Sequence, residues 1–218
     1  MRRGAIAILL LAGWLASAAV IDRVAVIVGA TEGTRRSIIK DSDIDRDIRF
    51  VSLLNGEPLD FSSAARKKSA DRLIDQIYIR REIEMGDYPT VSLEQADQQL
   101  DRLEKEKFRT AAAFTEALRK YGLTELDVRL YFQWQLTILR FIEVRFKPAV
   151  IVTDDDIDKY YREHAAELRR TNPGKSLDDL RDQIRDTLTG ERVNQEFFGW
   201  LDEQRKTSKI KYREESLS

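Results

Sequence analysis

Signals for helix starts and stops recur between Asp41 and Thr207, and they constrain the fold more than any other feature of this sequence. At several places a Ser or Thr stands three residues before a Gln or Asp, which is the spacing of a capping box. Three such pairs are Ser92 with Gln95, Thr153 with Asp156, and Ser176 with Asp179. Glycine or proline follows several of the segments that such residues open. The pattern predicts a mainly α-helical protein.

The same signals predict where each helix begins and ends. The expected helices run from Asp41 or Ser42 to Leu54, from Ser62 or Ser63 to Glu84, from Ser92 to about Phe108, from Thr110 to Tyr121, from Thr124 to Lys147, from Thr153 to the joint at Asn172-Pro173-Gly174, and from Ser176 to about Thr207. The last two are separated by a turn signal at Asn172-Pro173-Gly174. The connection between these two helical segments, which we refer to as the joint, is short.

Strand-like segments flank the helical region. "DRVAVIVG" from Asp22, a polar turn around Gly33 and "RRSIIK" predict a β-hairpin. A hairpin alone is marginally stable in water, so it needs a further partner. The segment "SKIKYR" at 208–213 is the candidate, which predicts a small sheet in which the two ends of the chain meet.

The first residues have the layout of a secretory signal peptide. Arg2 and Arg3 precede an apolar run, and the small residues Ala16-Ser17-Ala18 follow it. We expect a signal peptide at 1–19 that is cleaved after Ala18 or Ala19, leaving a mature amino terminus at Ala19 or Val20. An uncleaved anchor is the alternative, but the apolar segment of roughly 16 residues falls short of the ~20 that span a bilayer. The prediction is an exported chain with no membrane insertion after cleavage.

Composition excludes several classes of function. The chain has 37 basic and 38 acidic side chains, so there is no excess positive charge for nucleic acid. It has no cysteine and one histidine, His164, which leaves little material for metal or histidine chemistry. The acids of "TDDDID" at 153–158 are explained by a cap and the helix dipole better than by a cation site. We predict no metal, no cofactor and no catalytic residues.

The segment from Thr124 to Lys147 is unusually apolar around its circumference. At about 100° per residue, five of its polar residues fall on one narrow stripe: Arg129, Gln133, Thr137, Arg140 and Glu143. Such a helix is either wrapped by neighbours as a core element or presents an apolar surface to a partner. Both interpretations stay open.

The order of the segments is similar to that of a known family. After the signal peptide come "VIDRVAVIVG", "DRLIDQIYIRREIEMG", "VSLEQADQQLDRL", "FTEALRKYGLTELDVRLYFQWQLTILRFI", "VTDDDIDKYYREH" and a final "SLDDLRDQIRDTLTGERVNQEFFGWLDEQRKTSKIKY". This series resembles the N-terminal module of SurA-like periplasmic chaperones and related parvulin-type foldases, over essentially the whole mature chain. The resemblance implies one chaperone domain at 20–218, with an N-terminal part at 20–170 and a closing helix and strand at 176–213.

In that family, parvulin isomerase domains are inserted between the last two helical segments. Here residues 169–176 hold only "RRTNPGKS". The resemblance therefore implies the chaperone module without its enzyme, located in the periplasm and lacking prolyl isomerase activity.

By resemblance, the partners are unfolded or extended polypeptides of secreted or outer-membrane proteins, and association of the chain with itself stays open. The candidate client-binding residues share large apolar side chains: Phe50, Leu53, Leu54, Phe61, Tyr131 and Trp134. Core packing is the alternative for each of them. A helical scaffold for one dedicated partner, and an enzyme of another type, are the competing functions.

Overall fold

The computed structural model describes residues 22–29 and 36–217. The strands in these ranges are β1 (Val24–Val28), β2 (Ser37–Lys40) and β3 (Ile210–Tyr212). The helices are α1 (Asp41–Asn55), α2 (Ser63–Gly86), α3 (Leu93–Leu103), α4 (Ala111–Tyr121), α5 (Glu125–Phe146), α6 (Asp154–Glu163), α7 (Ala165–Thr171), α8 (Leu177–Thr207) and α9 (Glu214–Leu217). A π-helical turn (Glu104–Phe108) follows α3, and a 3-10 turn (Lys147–Ala149) follows α5. The prediction of a mainly α-helical fold with a small sheet is confirmed.

The sheet joins the two ends of the described chain. Its strand order is β2-β1-β3, and both pairings are antiparallel. Val26 of β1 lies opposite Ile39 on one side and Tyr212 on the other. The predicted return of the last strand to the N-terminal hairpin is therefore confirmed, whereas the expected turn at Gly33 and the signal peptide lie outside the described residues.

Most helices begin at the predicted caps. A side-chain oxygen at each of these positions accepts a hydrogen bond from the backbone N–H three residues later: Ser62, Ser92, Thr110, Thr124, Thr153 and Ser176. Helix α1 differs from the prediction, because Lys40 rather than Asp41 or Ser42 is its N-cap residue. Strand β2 runs directly into this helix, and the Ser42 hydroxyl donates instead to Asp22, at 2.6 Å.

The main core lies between the sheet and the helices α1, α2, α5 and α8. Its centre is Phe141 of α5, which is fully buried. The ring of Phe141 contacts Tyr88 at a centroid distance of 5.0 Å and Trp200 of α8 at 5.7 Å. A second cluster packs α1 against α3, α4 and α5 and includes Phe50, Leu53, Leu100, Phe114 and Val128. Among the described residues, no helix is both long and apolar enough to cross a membrane.

The segment from α6 to the first half of α8 forms a helical hairpin with a small core of its own. Ile157, Leu168, Leu180 and Ile184 make up that core. The sequence predicted one helix from Thr153 to the joint, but the structure divides it at His164 into α6 and α7. There the imidazole stacks on the Tyr160 ring at 4.0 Å, and the backbone leaves the helical conformation. The break lets Leu168 pack back on Ile157.

The acidic start of α6 is accounted for by partners within this hairpin. Asp156 caps the helix at Thr153 and pairs with Arg192 at 2.7 Å. The Arg192 and Thr153 donors hold the pKa of the Asp156 carboxyl well below its usual range. Asp154 pairs with Arg181 and Arg185 of α8. These acids thus stabilise the joint between two helices, and their role as a cap agrees with the sequence.

Candidate functional site

An open groove of about 390 Å³ lies between α1, α2, α5 and the end of β2, and we refer to it as the α5 groove. Its apolar lining comes from all four elements: Ile38, Ile39, Phe50, Leu73, Ile77, Leu130, Tyr131 and Trp134. Its polar lining is Asp43, Arg46, Asp47, Gln76, Arg80 and Asp127. Among the residues that the structure describes, no group of His, Asp and Glu is arranged to hold a metal ion. The groove is therefore the strongest candidate site.

The aromatic wall of the α5 groove is preorganised by ring packing. Tyr131 stacks on Phe50 of α1, with ring centroids 4.6 Å apart, so one face of the tyrosine is held by the protein. Phe50 itself is buried, whereas Leu130, on the preceding turn from Trp134, is 46% exposed. Aromatic side chains with two rotatable bonds offer large contact areas at low entropic cost. This wall can contact an apolar ligand without first rearranging.

Trp134 is fixed in two independent ways. Its indole N–H donates a hydrogen bond of 2.9 Å to the side-chain oxygen of Gln76 on α2. The guanidinium carbon of Arg80 lies 4.1 Å from the centroid of the same ring, which is a cation–π arrangement. Both partners come from α2, so the indole bridges the two walls of the groove. Trp134 is half-buried, packs against the main core and lines the groove.

The groove is lined in part by the buried carboxylate of Asp47, which pairs with the partly exposed Arg72. Asp47 is 5% exposed, and its Oδ2 accepts hydrogen bonds from both Nε and a terminal nitrogen of Arg72, the first at 3.1 Å. A charge of this kind is tolerated in the interior because it is paired and hydrogen-bonded. Burial raises the pKa of the nearby Tyr131 phenol, and the Asp47 carboxylate adds to the rise. The phenol is therefore neutral at physiological pH.

A second carboxylate at the groove caps helix α5. Asp127 accepts hydrogen bonds from the backbone N–H of Thr124 at 2.9 Å and from its hydroxyl at 2.6 Å. Burial works to raise the pKa of Asp127, but these hydrogen bonds and the nearby Arg46 guanidinium lower it on balance. Asp127 is thus an ionised structural acid rather than a proton donor.

Helix α5 is turned so that its polar stripe faces a neighbouring segment. Thr137 accepts a hydrogen bond of 3.2 Å from the Val91 N–H, and Gln133 donates one of 3.0 Å to the Val91 carbonyl. Arg129 pairs with Asp97 on α3. These three polar side chains thus have partners in α3 or in the segment before it, whereas Leu130 and Leu139 remain exposed at the surface. Part of the circumference of α5 is wrapped as core, and part presents apolar side chains at the surface.

The structure brings three of the six candidate residues together at the α5 groove: Phe50, Tyr131 and Trp134. Leu53 points into the second core cluster and is fully buried. Leu54 is half-buried, and its carbonyl accepts a hydrogen bond from Lys107. Phe61 is 37% exposed and lies under the Arg49 guanidinium at 5.5 Å, outside the groove.

Sequence reasoning missed the aliphatic residues of the groove. Leu73 and Ile77 of α2 stand four residues apart, as do Leu130 and Trp134 of α5, so each pair shares one helix face. That spacing was a usable signal for a common face. It could not show that the two faces oppose each other, because this depends on how the helices pack.

A second apolar hollow of about 420 Å³ lies between α5 and α8. Leu139, Ile142, Gly190 and Val193 line it, together with charged side chains. Leu139 is 61% exposed. None of the described residues that line this hollow is aromatic, so it offers less aromatic contact than the α5 groove.

A scan of protein-family models finds no match to this chain. A search of curated protein sequences finds none either. The function is therefore inferred from the α5 groove and from the order of the sequence motifs.

Proposed function

We propose that this protein is a periplasmic chaperone of the holdase type, which binds unfolded or extended segments of other exported proteins in the α5 groove and thereby delays their aggregation. The observation that carries the proposal is the open groove whose wall is formed by Phe50, Tyr131 and Trp134. Apolar surface framed by polar residues is typical of sites that bind other polypeptides. The groove is open rather than enclosed, which suits clients of varied sequence.

The position of strand β2 favours clients in an extended conformation. Successive side chains of a strand point to opposite faces, yet both Ile38 and Ile39 line the groove. The groove therefore runs along the edge of β2 rather than under one face of the sheet. In the strand order β2-β1-β3, this edge is an outer one. An outer edge can hydrogen-bond to the main chain of an extended peptide, independently of its sequence.

The resemblance to SurA-like chaperones supports the same function. The elements on which it depends occur in the expected order: the hairpin, the successive helices, the long closing helix α8 and the returning strand β3. That family, together with the predicted signal peptide, is the basis for placing the protein in the periplasm. It is also the basis for expecting clients among secreted and outer-membrane proteins.

We further propose that the protein lacks prolyl isomerase activity. Where the family carries an inserted domain, this chain has a turn from Asn172 to Ser176 between α7 and α8. Lys175 donates a backbone hydrogen bond of 3.3 Å to Asn172 across it. A turn of this size cannot enclose a proline-containing peptide.

The isomerase proposal predicts that cis/trans exchange of a short proline peptide is not accelerated by this protein. The uncatalysed reaction takes roughly tens to hundreds of seconds, so weak catalysis would be visible above the background. The measurement is a protease-coupled isomerisation assay on the same preparation used for aggregation assays. Acceleration that disappears when this protein is removed by immunodepletion would contradict the proposal.

The holdase proposal predicts that Trp134→Ala weakens binding of an apolar peptide by about five-fold or more, as expected for loss of a central aromatic contact. Leu139→Ala is the matched control, because Leu139 lies on the same helix, is exposed and sits outside the groove. Binding is measured by calorimetry, and aggregation of several unrelated unfolded outer-membrane proteins by light scattering. Thermal unfolding of both variants shows whether either change disturbs the fold.

The outcomes separate the competing functions. If the wild-type protein binds no peptide and delays no aggregation, the holdase proposal is wrong. Protection of one client among many would favour a scaffold for a dedicated partner. Equal affinities of Trp134→Ala and wild type would place client binding outside the α5 groove.

A further inference from the structure

The small sheet has one face in the core and one face outside it. Val26 and Ile39 lie opposite each other and are buried in the main core. Alternate residues of a strand point to the other face. On that face Ile27 of β1 lies opposite Ile38 of β2 and Lys211 of β3. Ile38 is 50% exposed and Lys211 is also exposed, so we refer to this side as the outer face of the sheet.

Strand β3 places three basic side chains on the outer face. The ladder to β1 continues beyond both ends of β3, because Gly29 donates to the Lys209 carbonyl at 3.0 Å. At the other end, Arg213 donates to the Ala25 carbonyl at 2.8 Å. Lys209 and Arg213 therefore alternate in step with Lys211 and point to the same side. All three side chains are exposed.

Strand β2 adds basic side chains along the opposite border of the outer face. Arg36 precedes this strand and Lys40 ends it, each two residues away from Ile38. Alternation places both on the outer face. Arg36 is exposed, and Lys40 pairs with Asp22 at 3.5 Å. Two basic borders thus enclose the apolar side chains of Ile27 and Ile38.

The positive charge of the outer face exceeds the negative charge around it. Among the described residues, Asp22 is the one acid that forms an ion pair with these basic side chains. Glu214 and Glu215 follow Arg213 in α9, which packs against α2, and Glu214 lines a hollow with Lys67 of that helix. Even when both glutamates are counted, basic side chains outnumber acidic ones by five to three. The whole chain is nearly neutral, with 37 basic and 38 acidic side chains, so this excess is local.

We propose that the outer face of the sheet docks on an anionic membrane surface, with Lys209, Lys211 and Arg213 meeting the phosphate groups of lipid headgroups. An anionic lipid surface attracts basic side chains through its negative potential. The aliphatic stems of such side chains can lie along apolar residues, here Ile27 and Ile38, while their charged ends reach the headgroups. This contact is peripheral, and it does not depend on the α5 groove as the client site.

The sequence before β1 favours a membrane over another anionic partner. Two residues separate the predicted signal peptide, at 1–19, from Asp22, the first residue that the structure describes. A signal peptide enters the membrane through its apolar run during export. Strand β1 is thus the first described element behind that segment, and the sheet it belongs to is close to lipid headgroups before cleavage. Docking after cleavage keeps the same face at the same surface.

Cosedimentation with lipid vesicles tests the proposal. The vesicles contain phosphatidylcholine alone or phosphatidylcholine and phosphatidylglycerol in equal parts, and each is used at low and high salt. The processed protein, which begins at Ala19 or Val20, is used because the apolar segment before it would itself enter lipid. Circular dichroism confirms that it is folded. We expect binding only to vesicles with phosphatidylglycerol, and its loss at high salt, since exposed charges are screened.

The outer-face variant combines Lys209→Gln, Lys211→Gln and Arg213→Gln. It should bind the phosphatidylglycerol vesicles about a hundred-fold more weakly than wild type, since each basic residue near an anionic surface contributes roughly five-fold. Ile38 is left unchanged because it also lines the α5 groove. None of the three substituted residues lines that groove, so the affinity for the apolar peptide should stay at the wild-type value.

The matched control removes the same charge from the helical hairpin. It combines Lys159→Gln, Arg170→Gln and Lys175→Gln, at exposed positions of α6, α7 and the joint. This hairpin variant should bind the vesicles within about two-fold of wild type, because the charges it loses lie away from the outer face. Thermal unfolding of both variants shows whether either set of changes disturbs the fold.

No binding to the phosphatidylglycerol vesicles overturns the inference. So does equal weakening in the outer-face and hairpin variants, which would reflect net charge rather than this face. Stronger displacement by inorganic phosphate than by sodium chloride of equal ionic strength would show that one phosphate group, not a surface, is bound. Tighter binding of a random single-stranded oligonucleotide, lost in the outer-face variant, would replace the membrane by nucleic acid. The peptide affinity, measured separately, tests the α5 groove whatever the vesicles show.

Discussion

Replacing Phe141 with alanine is expected to lower the free energy of unfolding by about 3 to 5 kcal/mol, the range for removing a buried phenylalanine. Phe141 is fully buried at the point where α5 meets α8. Its ring contacts the rings of Tyr88, Phe146 and Trp200 at centroid distances of 5.0, 5.8 and 5.7 Å. These neighbours come from separate segments that cannot all move in to fill the space. The change should therefore leave a cavity.

The measurement is chemical unfolding followed by tryptophan fluorescence and circular dichroism. Leu139→Ala is the control on the same helix, since Leu139 is 61% exposed and its loss should cost within about 0.5 kcal/mol. Similar stabilities of the two variants would show that α5 is not anchored in the core at Phe141. The packing of Phe141 also positions Trp134, which lies two turns earlier on the same helix. The free energies of unfolding of the variants must therefore be compared before a change in binding is attributed to the groove.

The helices were predictable from sequence because their ends are defined by local chemistry. Ser62, Ser92 and Thr124 bond to the backbone three residues later, which needs no information from the rest of the chain. Gly56 and Gly122 end α1 and α4 with positive φ angles of 73° and 64°. Such positions favour glycine in any fold.

The sheet was predictable for a different reason. A lone hairpin is too unstable to persist, and the segment after α8 had the only other strand-like pattern that could complete it. The requirement for a third strand therefore identified β3. The short helix α9 after it had no cap signal in the sequence and was not predicted. The break at His164 was missed too, because the packing of Leu168 against Leu180 and Ile184 depends on the position of α8.

The candidate site was only half predictable. The sequence identified α5 as unusually apolar, yet it could not show that Thr137 and Gln133 face the backbone of Val91. That contact turns the helix and decides which apolar residues stay at the surface. For the same reason Leu53, which looks like Leu54 in the sequence, lies inside the protein and away from the α5 groove. Tertiary packing overrides local pattern at these positions.

Removing residues 208–218, which include β3 and α9, is expected to lower the free energy of unfolding by roughly 3 to 5 kcal/mol. The deletion removes several backbone hydrogen bonds, each worth about 1 kcal/mol, together with apolar contacts. In the intact protein Gly29 donates to the Lys209 carbonyl at 3.0 Å, and Arg213 donates to Ala25 at 2.8 Å. Leu217 packs against the main core. A frayed tail would contribute none of these contacts.

Side-chain bonds to α2 add to this expected loss. Arg66 donates a hydrogen bond of 2.8 Å to the Ser216 carbonyl, and the Tyr212 hydroxyl donates one of 2.8 Å to Asp71. Tyr212→Phe is the matched small change, because it removes only the second of these bonds and should cost about 1 kcal/mol. Thermal and chemical unfolding of the truncated protein, Tyr212→Phe and wild type give the comparison. Equal midpoints for the truncated and intact proteins would mean that the returning strand does not support the fold.

The truncation also separates the two edges of the sheet. Loss of β3 exposes β1, whereas the α5 groove lies along β2 on the opposite edge and keeps its lining residues. At a temperature where the truncated protein is still folded by circular dichroism, its affinity for the apolar peptide should therefore stay within about two-fold of wild type, a change below 0.5 kcal/mol. A large loss of affinity in the folded variant would place the client on the β3 side. If the truncated protein is less stable but keeps its affinity, β3 stabilises the fold and the client binds in the groove beside β2.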